Sequence, residues 1–137
     1  MAIGLLLSAS SAYGERLSVA VSKANVRSGP GTKGYDILWE VERYHPIEVV
    51  QKSDGWILFR DFEGDKGWIH QKLLSTQTTV ITQKNDCNIR SRPGTDGDIL
   101  FRAERGVPFK VLERKEEWIQ IQSIDGDKGW IHQNLVW

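Results

Sequence analysis

Gly64-Asp65-Lys66-Gly67-Trp68-Ile69-His70-Gln71 returns without change as Gly126-Asp127-Lys128-Gly129-Trp130-Ile131-His132-Gln133, 62 positions further on. An identical octet at that distance means one structural unit built twice, so fold and function are sought per unit. The echo extends on both sides. Ala24-Asn25-Val26-Arg27-Ser28-Gly29-Pro30-Gly31-Thr32 aligns with Cys87-Asn88-Ile89-Arg90-Ser91-Arg92-Pro93-Gly94-Thr95. Ile37-Leu38, Pro46, Val49, Trp56-Ile57 and Leu73 recur as Ile99-Leu100, Pro108, Val111, Trp118-Ile119 and Leu135. Between Thr32 and Asp36 the offset slips from 63 to 62, an indel beside Gly34 of the kind a surface loop tolerates. The units span residues 17–74 and 80–136, joined by the short polar segment of residues 75–79. Chains of this size bury only about 60% of their unfolded surface, so contact between the units would help both.

Composition fits a compact soluble protein, with 26% charged and 39% hydrophobic residues. Lys plus Arg equals Asp plus Glu at 18 each, which removes the overall basic field a nucleic-acid binder uses. The N-terminus differs in kind. An apolar run from Ala2 to Leu7 precedes small residues from Ser8 to Gly14, and residues 1–14 read as a signal peptide with a truncated start. That reading expects a periplasmic or extracellular protein; if the stretch is only a tail, the protein is cytoplasmic. The run is too short for a membrane span, which takes about 20 apolar residues, so stable membrane insertion is not expected. The single cysteine, Cys87, stands where Ala24 stands in the first unit and reads as a small buried residue.

Short extended segments between turns fill each unit. Asn25-Val26-Arg27 and Trp118-Ile119-Gln120-Ile121-Gln122 alternate with the period of a strand. Ser28-Gly29-Pro30-Gly31 and Arg92-Pro93-Gly94 are loop signals, and Pro46 and Pro108 stand at strand starts. Asp125-Gly126 is a hairpin signal. No stretch has helical periodicity. The expectation is an all-β chain of two small barrels in tandem, each of five to six strands, since closure removes exposed edges.

The series Asn-Val-Arg-Ser-Gly-Pro-Gly, Ile-Leu, a proline-led valine strand, Gly-Trp-Ile and Gly-Asp-Lys-Gly-Trp-Ile-His resembles the bacterial SH3-like domain, in both units. The resemblance covers residues 17–137. It implies SH3-like barrels acting outside the cytoplasm as targeting modules that recognise cell-wall peptides beside a separate catalytic domain. Two positions depart from the pattern. Tyr44 takes the place of a glycine kept as Gly106, and Trp39 and Phe101 fill a position that is usually small.

Most of the shared residues have structural roles in prospect. Asn25 and Asn88 are expected to hydrogen-bond nearby backbone and fix the loop, and Arg27 and Arg90 to anchor it. Gly67 and Gly129 are expected to permit a bulge or a close approach. Trp68 and Trp130 read as core or barrel-rim residues, and His70 and His132 as structural or exposed residues without a metal. No cofactor is expected, and no nucleophile stands beside a His and an acid, so the chain reads as non-enzymatic.

Candidate binding residues are Tyr35, Trp39 and Tyr44, where unit one carries aromatics that unit two lacks or alters, together with Trp56 and Trp118. Exposed together, the first three would form an aromatic groove for a peptide; otherwise they would cover the contact between units. Two functions follow: a binding module for a peptide or cell-wall component, or an assembly protein that self-associates or docks a protein partner.

Overall fold

The computed structural model describes residues 14–137. The expected signal segment therefore lies outside the described residues, apart from Gly14. In the first unit the strands are β1 (Arg16–Val19), β2 (Lys23–Arg27), β3 (Ile37–Glu42), β4 (Pro46–Ser53), β5 (Trp56–Arg60), β6 (Lys66–His70) and β7 (Leu74–Ser75). The second unit contributes β8 (Thr79–Ile81), β9 (Cys87–Arg90), β10 (Ile99–Ala103), β11 (Pro108–Lys115), β12 (Trp118–Gln122) and β13 (Lys128–His132). Single 3-10 turns follow β6 and β13 at Gln71–Leu73 and Gln133–Leu135.

Each unit is one antiparallel sheet. The orders are β3-β2-β6-β5-β4-β1-β7 and β10-β9-β13-β12-β11-β8. Val19 from one end of the first sheet shares a core with Val26 and Val41 from the other, so the sheet is rolled around its own interior. Ile57, Phe59 and Ile69 complete that core, and Ile119, Ile121 and Ile131 with Phe109 do the same in unit two. The rolling uses bulges at matching places. Register shifts fall between Val49 and Gln51 and between Val111 and Glu113, where an extra residue bends a long strand. The fold expected from sequence is present in both halves: all-β, SH3-like and in tandem. The first sheet, however, has seven strands where five to six were expected, because the two-residue β7 pairs with β1.

The repeated octet now has a physical content. Its isoleucines, Ile69 and Ile131, are fully buried. A Cβ at Gly67 would lie 2.2 Å from Val26 Cγ1, and one at Gly129 would lie 2.2 Å from Ile89 Cγ2. Both glycines pair in unbroken register with Phe59 and Ile121, so close approach, not a bulge, requires them. Trp68 and Trp130 point to the other face and are half-buried outside the core clusters.

The linker is tied down at several points. Ser18 Oγ donates to the Gln77 carbonyl at 2.8 Å, and Val111 N–H donates to the Thr78 carbonyl at 3.0 Å. Across the two units the Arg16 guanidinium stacks on Trp137 at 3.8 Å from the ring centroid. On a second contact Arg105 bonds Glu63 at 3.2 Å and stands 5.0 Å from the Phe62 ring. The units are therefore in direct contact.

Candidate functional site

The same hollow occurs twice. In unit one, Asn25 and Arg27 of β2, Trp56 at the start of β5, and His70 and Leu73 around the 3-10 turn frame a groove of about 430 Å³. In unit two, Asn88, Arg90, Trp118, His132 and Leu135 frame its counterpart of about 250 Å³. Strand geometry explains the grouping. Val26 and Ile89 point into the cores, so their neighbours on either side must face out. Trp56 pairs with His70 in register, and Trp118 with His132, which brings ring to ring across adjacent strands.

The ring pairs meet edge to face, with centroids 5.0 Å apart in unit one and 5.2 Å in unit two. Each imidazole is oriented by the turn it begins. His70 Nδ1 accepts the Lys72 N–H and His132 Nδ1 accepts the Asn134 N–H, both at 3.1 Å. An accepting Nδ1 fixes the neutral tautomer with the proton on Nε2, so Nε2 is a donor. The arginines do two jobs. Arg27 Nη1 donates to the Thr32 carbonyl at 3.4 Å, and Arg90 Nη1 to those of Thr95 and Gly97 at 3.1 and 2.9 Å. They hold the neighbouring loop as expected and also line the grooves.

The asparagines behave differently from expectation. Neither bonds nearby backbone: both sit in mid-strand, where ladder pairing already occupies the main chain, and Asn88 Oδ1 instead accepts Arg102 Nε at 3.0 Å. The loop is fixed by serines. Ser28 Oγ accepts Asp36 N–H at 2.9 Å, and Ser91 Oγ accepts Asp98 N–H at 3.0 Å.

The aromatic residues peculiar to unit one have separate surroundings. Tyr35 lies flat on the glycine loop, its ring carbons 2.1 Å from where a Gly29 Cβ would stand. The second unit has Arg92 in place of Gly29 and no counterpart of Tyr35. Trp39 is half-buried against the core, edge-on to Phe59 at 6.4 Å, and lines a hollow that reaches Gly106. Tyr44 is half-buried at φ 72°, matching Gly106 at φ 86°. The Phe62, Glu63 and Arg105 contact, not these three rings together, joins this side of the units. Of the five aromatic candidates, Trp56 and Trp118 stand in the grooves.

Sequence reasoning passed over His70, His132 and the flanking Lys23, Lys72 and Glu40 as groove residues. The signal for the histidines was their place opposite Trp56 and Trp118 in a hairpin. Elsewhere, Asp61, Glu63 and Asp65 bring carboxylate oxygens within 4.8 Å of one another. Asp61 Oδ1 is already used by the N–H groups of Glu63 and Asp65, both at 2.9 Å, which makes it a turn lock. Burial pushes the Asp61 carboxyl up, and those two hydrogen bonds pull against it. Cys87 is buried, donates to the Lys84 carbonyl, and has its thiol pKa pushed up chiefly by burial.

These features define a class: a tandem of SH3-like β units, each with an aromatic–imidazole groove. The chain belongs to the bacterial SH3 domain family, which matches it over residues 20–76 and again over 83–137. It is 28% identical over 140 residues to the putative N-acetylmuramoyl-L-alanine amidase YrvJ of Bacillus subtilis, covering 94% of this chain and 26% of that protein. It is 33% identical over 67 residues to the probable cell wall amidase LytH of Staphylococcus epidermidis, covering 46% of this chain and 23% of that one. The chain thus spans about a quarter of the length of these curated relatives. Among solved structures, an NlpC/P60 family protein from Bacillus cereus aligns with 89% of this chain and 55% of its own, at 15% identity and a TM-score of 0.40.

Proposed function

We propose that this chain is a non-catalytic module that binds the bacterial cell wall outside the cytoplasm, taking peptide portions of peptidoglycan into its paired grooves. The observation that carries this reading is the recurrence of one Asn–Arg–Trp–His–Leu frame in two hollows. An aromatic face gives a peptide apolar area at low entropic cost, while the imidazole Nε2–H and the amide supply direction. Both curated relatives are named as amidases, one of them a probable cell wall amidase, and this chain corresponds to a minor part of each, as a targeting segment would. Two grooves on connected units add avidity on a polymer when each meets a peptide group that it accepts. Among the described residues no helix is long and apolar enough to cross a membrane.

Co-sedimentation with purified peptidoglycan sacculi tests the reading. The chain is expected in the pellet with sacculi and in the supernatant with cellulose; equal partition with both would refute wall recognition.

A second reading, docking of a protein partner or a second copy, has its own observation. Ile37-Leu38 and Ile99-Leu100 lie on β3 and β10, the sheet edges, and are 52%, 48%, 41% and 53% exposed. Light scattering across a concentration series tests self-association, and Leu38→Lys with Leu100→Lys would abolish any concentration-dependent growth in mass that these edges cause.

A further inference from the structure

The two grooves share a frame but differ in charge and in how their polar groups are used. Where the first has Lys23, Glu40, Gly55 and Lys72, the second has Asp86, Arg102, Glu117 and Asn134. In unit two the groove satisfies itself. His132 Nε2 donates to Glu117 Oε2 at 3.2 Å, Asn88 is held by Arg102, and Arg90 is held by two carbonyls. Unit one leaves the same groups open. Gly55 stands opposite His70, its would-be Cβ 3.7 Å from Nε2, so no side chain there can take the imidazole proton. Glu40 pairs with Asn25 where Arg102 pairs with Asn88. Arg27 keeps a single long bond of 3.4 Å. Lys23 and Lys72 are in none of the ion pairs formed among the described residues. Lys23, Arg27 and Lys72 therefore face Glu40 as the one acid lining a hollow floored by Trp56.

Resting on the reading of the grooves as the recognition surface, we propose that the first groove selects an anionic, carboxylate-bearing peptide. The ligand's carboxylate meets Lys23, Lys72 and the His70 Nε2–H, and its apolar part lies on Trp56. The second groove disfavours the same ligand. Asp86 stands in its wall where Lys23 stands in the first, Glu117 occupies the imidazole donor, and Arg90 and Arg102 are already engaged by carbonyls and Asn88. Specificity arises here from unit two's repulsion as much as from unit one's attraction. Charge-assisted hydrogen bonds to a carboxylate are the strong kind, so the difference should be large enough to measure.

The test uses the whole chain, labelled with nitrogen-15, and follows the indole N–H resonances of Trp56 and Trp118. The probe is a muropeptide mixture released from purified peptidoglycan, in native form and after its carboxylates have been converted to amides. Native muropeptides are expected to shift Trp56 at concentrations at least about tenfold below those that shift Trp118, and amidation is expected to remove most of that advantage. Lys23→Asp with Lys72→Asn should weaken the Trp56 response about tenfold. The triple exchange Asp86→Lys, Glu117→Gly and Asn134→Lys, all at exposed positions, should bring the Trp118 response close to that of Trp56. Binding at Trp56 that ignores amidation, or at Trp118 with equal strength, overturns the carboxylate proposal while leaving wall recognition standing. No response at either indole to either form overturns both.

Discussion

Among the described residues Tyr44, Asp54, Asp86 and Glu116 hold positive φ, at 72°, 45°, 56° and 56°. Asp54 is suited to this, since its short polar side chain tolerates the left-handed region, and Gly55 beside it at φ 84° completes a two-residue hairpin turn. Glu116 occupies the equivalent corner without that advantage. Glu116→Asn is therefore expected to raise stability by about 0.5–1 kcal/mol, read as a higher midpoint in urea. The substitution of tyrosine for glycine at position 44 was visible in the sequence, but the backbone conformation it must adopt was not. His45 next to it is the residue with the clearest pH signature. Its Nε2 is buried without a partner, its ring packs edge-on to Phe62 at 6.3 Å, and burial lowers its pKa from 6.5 to about 4, opposed by Glu63. A depressed folded pKa means that the unfolded chain takes the proton first. Stability is present above pH 6.5 and is lost as pH falls toward 4, by on the order of 3 kcal/mol. His45→Val, which copies Val107 of the second unit, should flatten the chain's stability between these pH values. An unchanged slope would remove His45 from the account.

At the level of strands, the repeat fixed the division into units, and alternation fixed which side chains enter the core. Ile119 and Ile121 are buried and Gln120 half-buried, as the pattern Trp118-Ile119-Gln120-Ile121-Gln122 requires. The groove was less legible because it is made between strands distant in sequence. Asn25 and Arg27 meet Trp56 and His70 only once β2 lies beside β6 and β6 beside β5. Identity of the octet in both copies pointed to a shared structural turn, and His70 is that, but the same ring also forms a groove wall. The contact between β2 and β6 has a sharp steric test. Gly67→Ala and Gly129→Ala each place a methyl against Val26 or Ile89 at a distance no real Cβ tolerates. Each should cost about 1–3 kcal/mol in thermal or urea unfolding. Wild-type stability in either variant would show that β2 can shift without cost.

For the whole molecule, the question is whether the two units act as one body. Among the contacts that bridge them are Arg16 on Trp137 and Arg105 on Glu63 and Phe62, with Gln77 and Thr78 pinned between. Such partly exposed stacks contribute about 0.5–1 kcal/mol each, enough to bias orientation without making the units interdependent. Trp137→Ala combined with Arg105→Ala should enlarge the radius of gyration in solution scattering while each unit keeps its fold. An unaltered scattering curve would assign the orientation to the linker alone. That orientation matters because two grooves on a polymer reinforce each other only when both can engage. We place recognition in the Trp–His grooves and not in the aromatic residues peculiar to unit one. This placement is tested most directly by sacculus-binding isotherms for three proteins: wild type, Trp56→Ala with His70→Ala, and Tyr35→Ala with Trp39→Ala. The first double variant is expected to lose most retention and the second to keep it; the reverse order would move recognition to Tyr35 and Trp39.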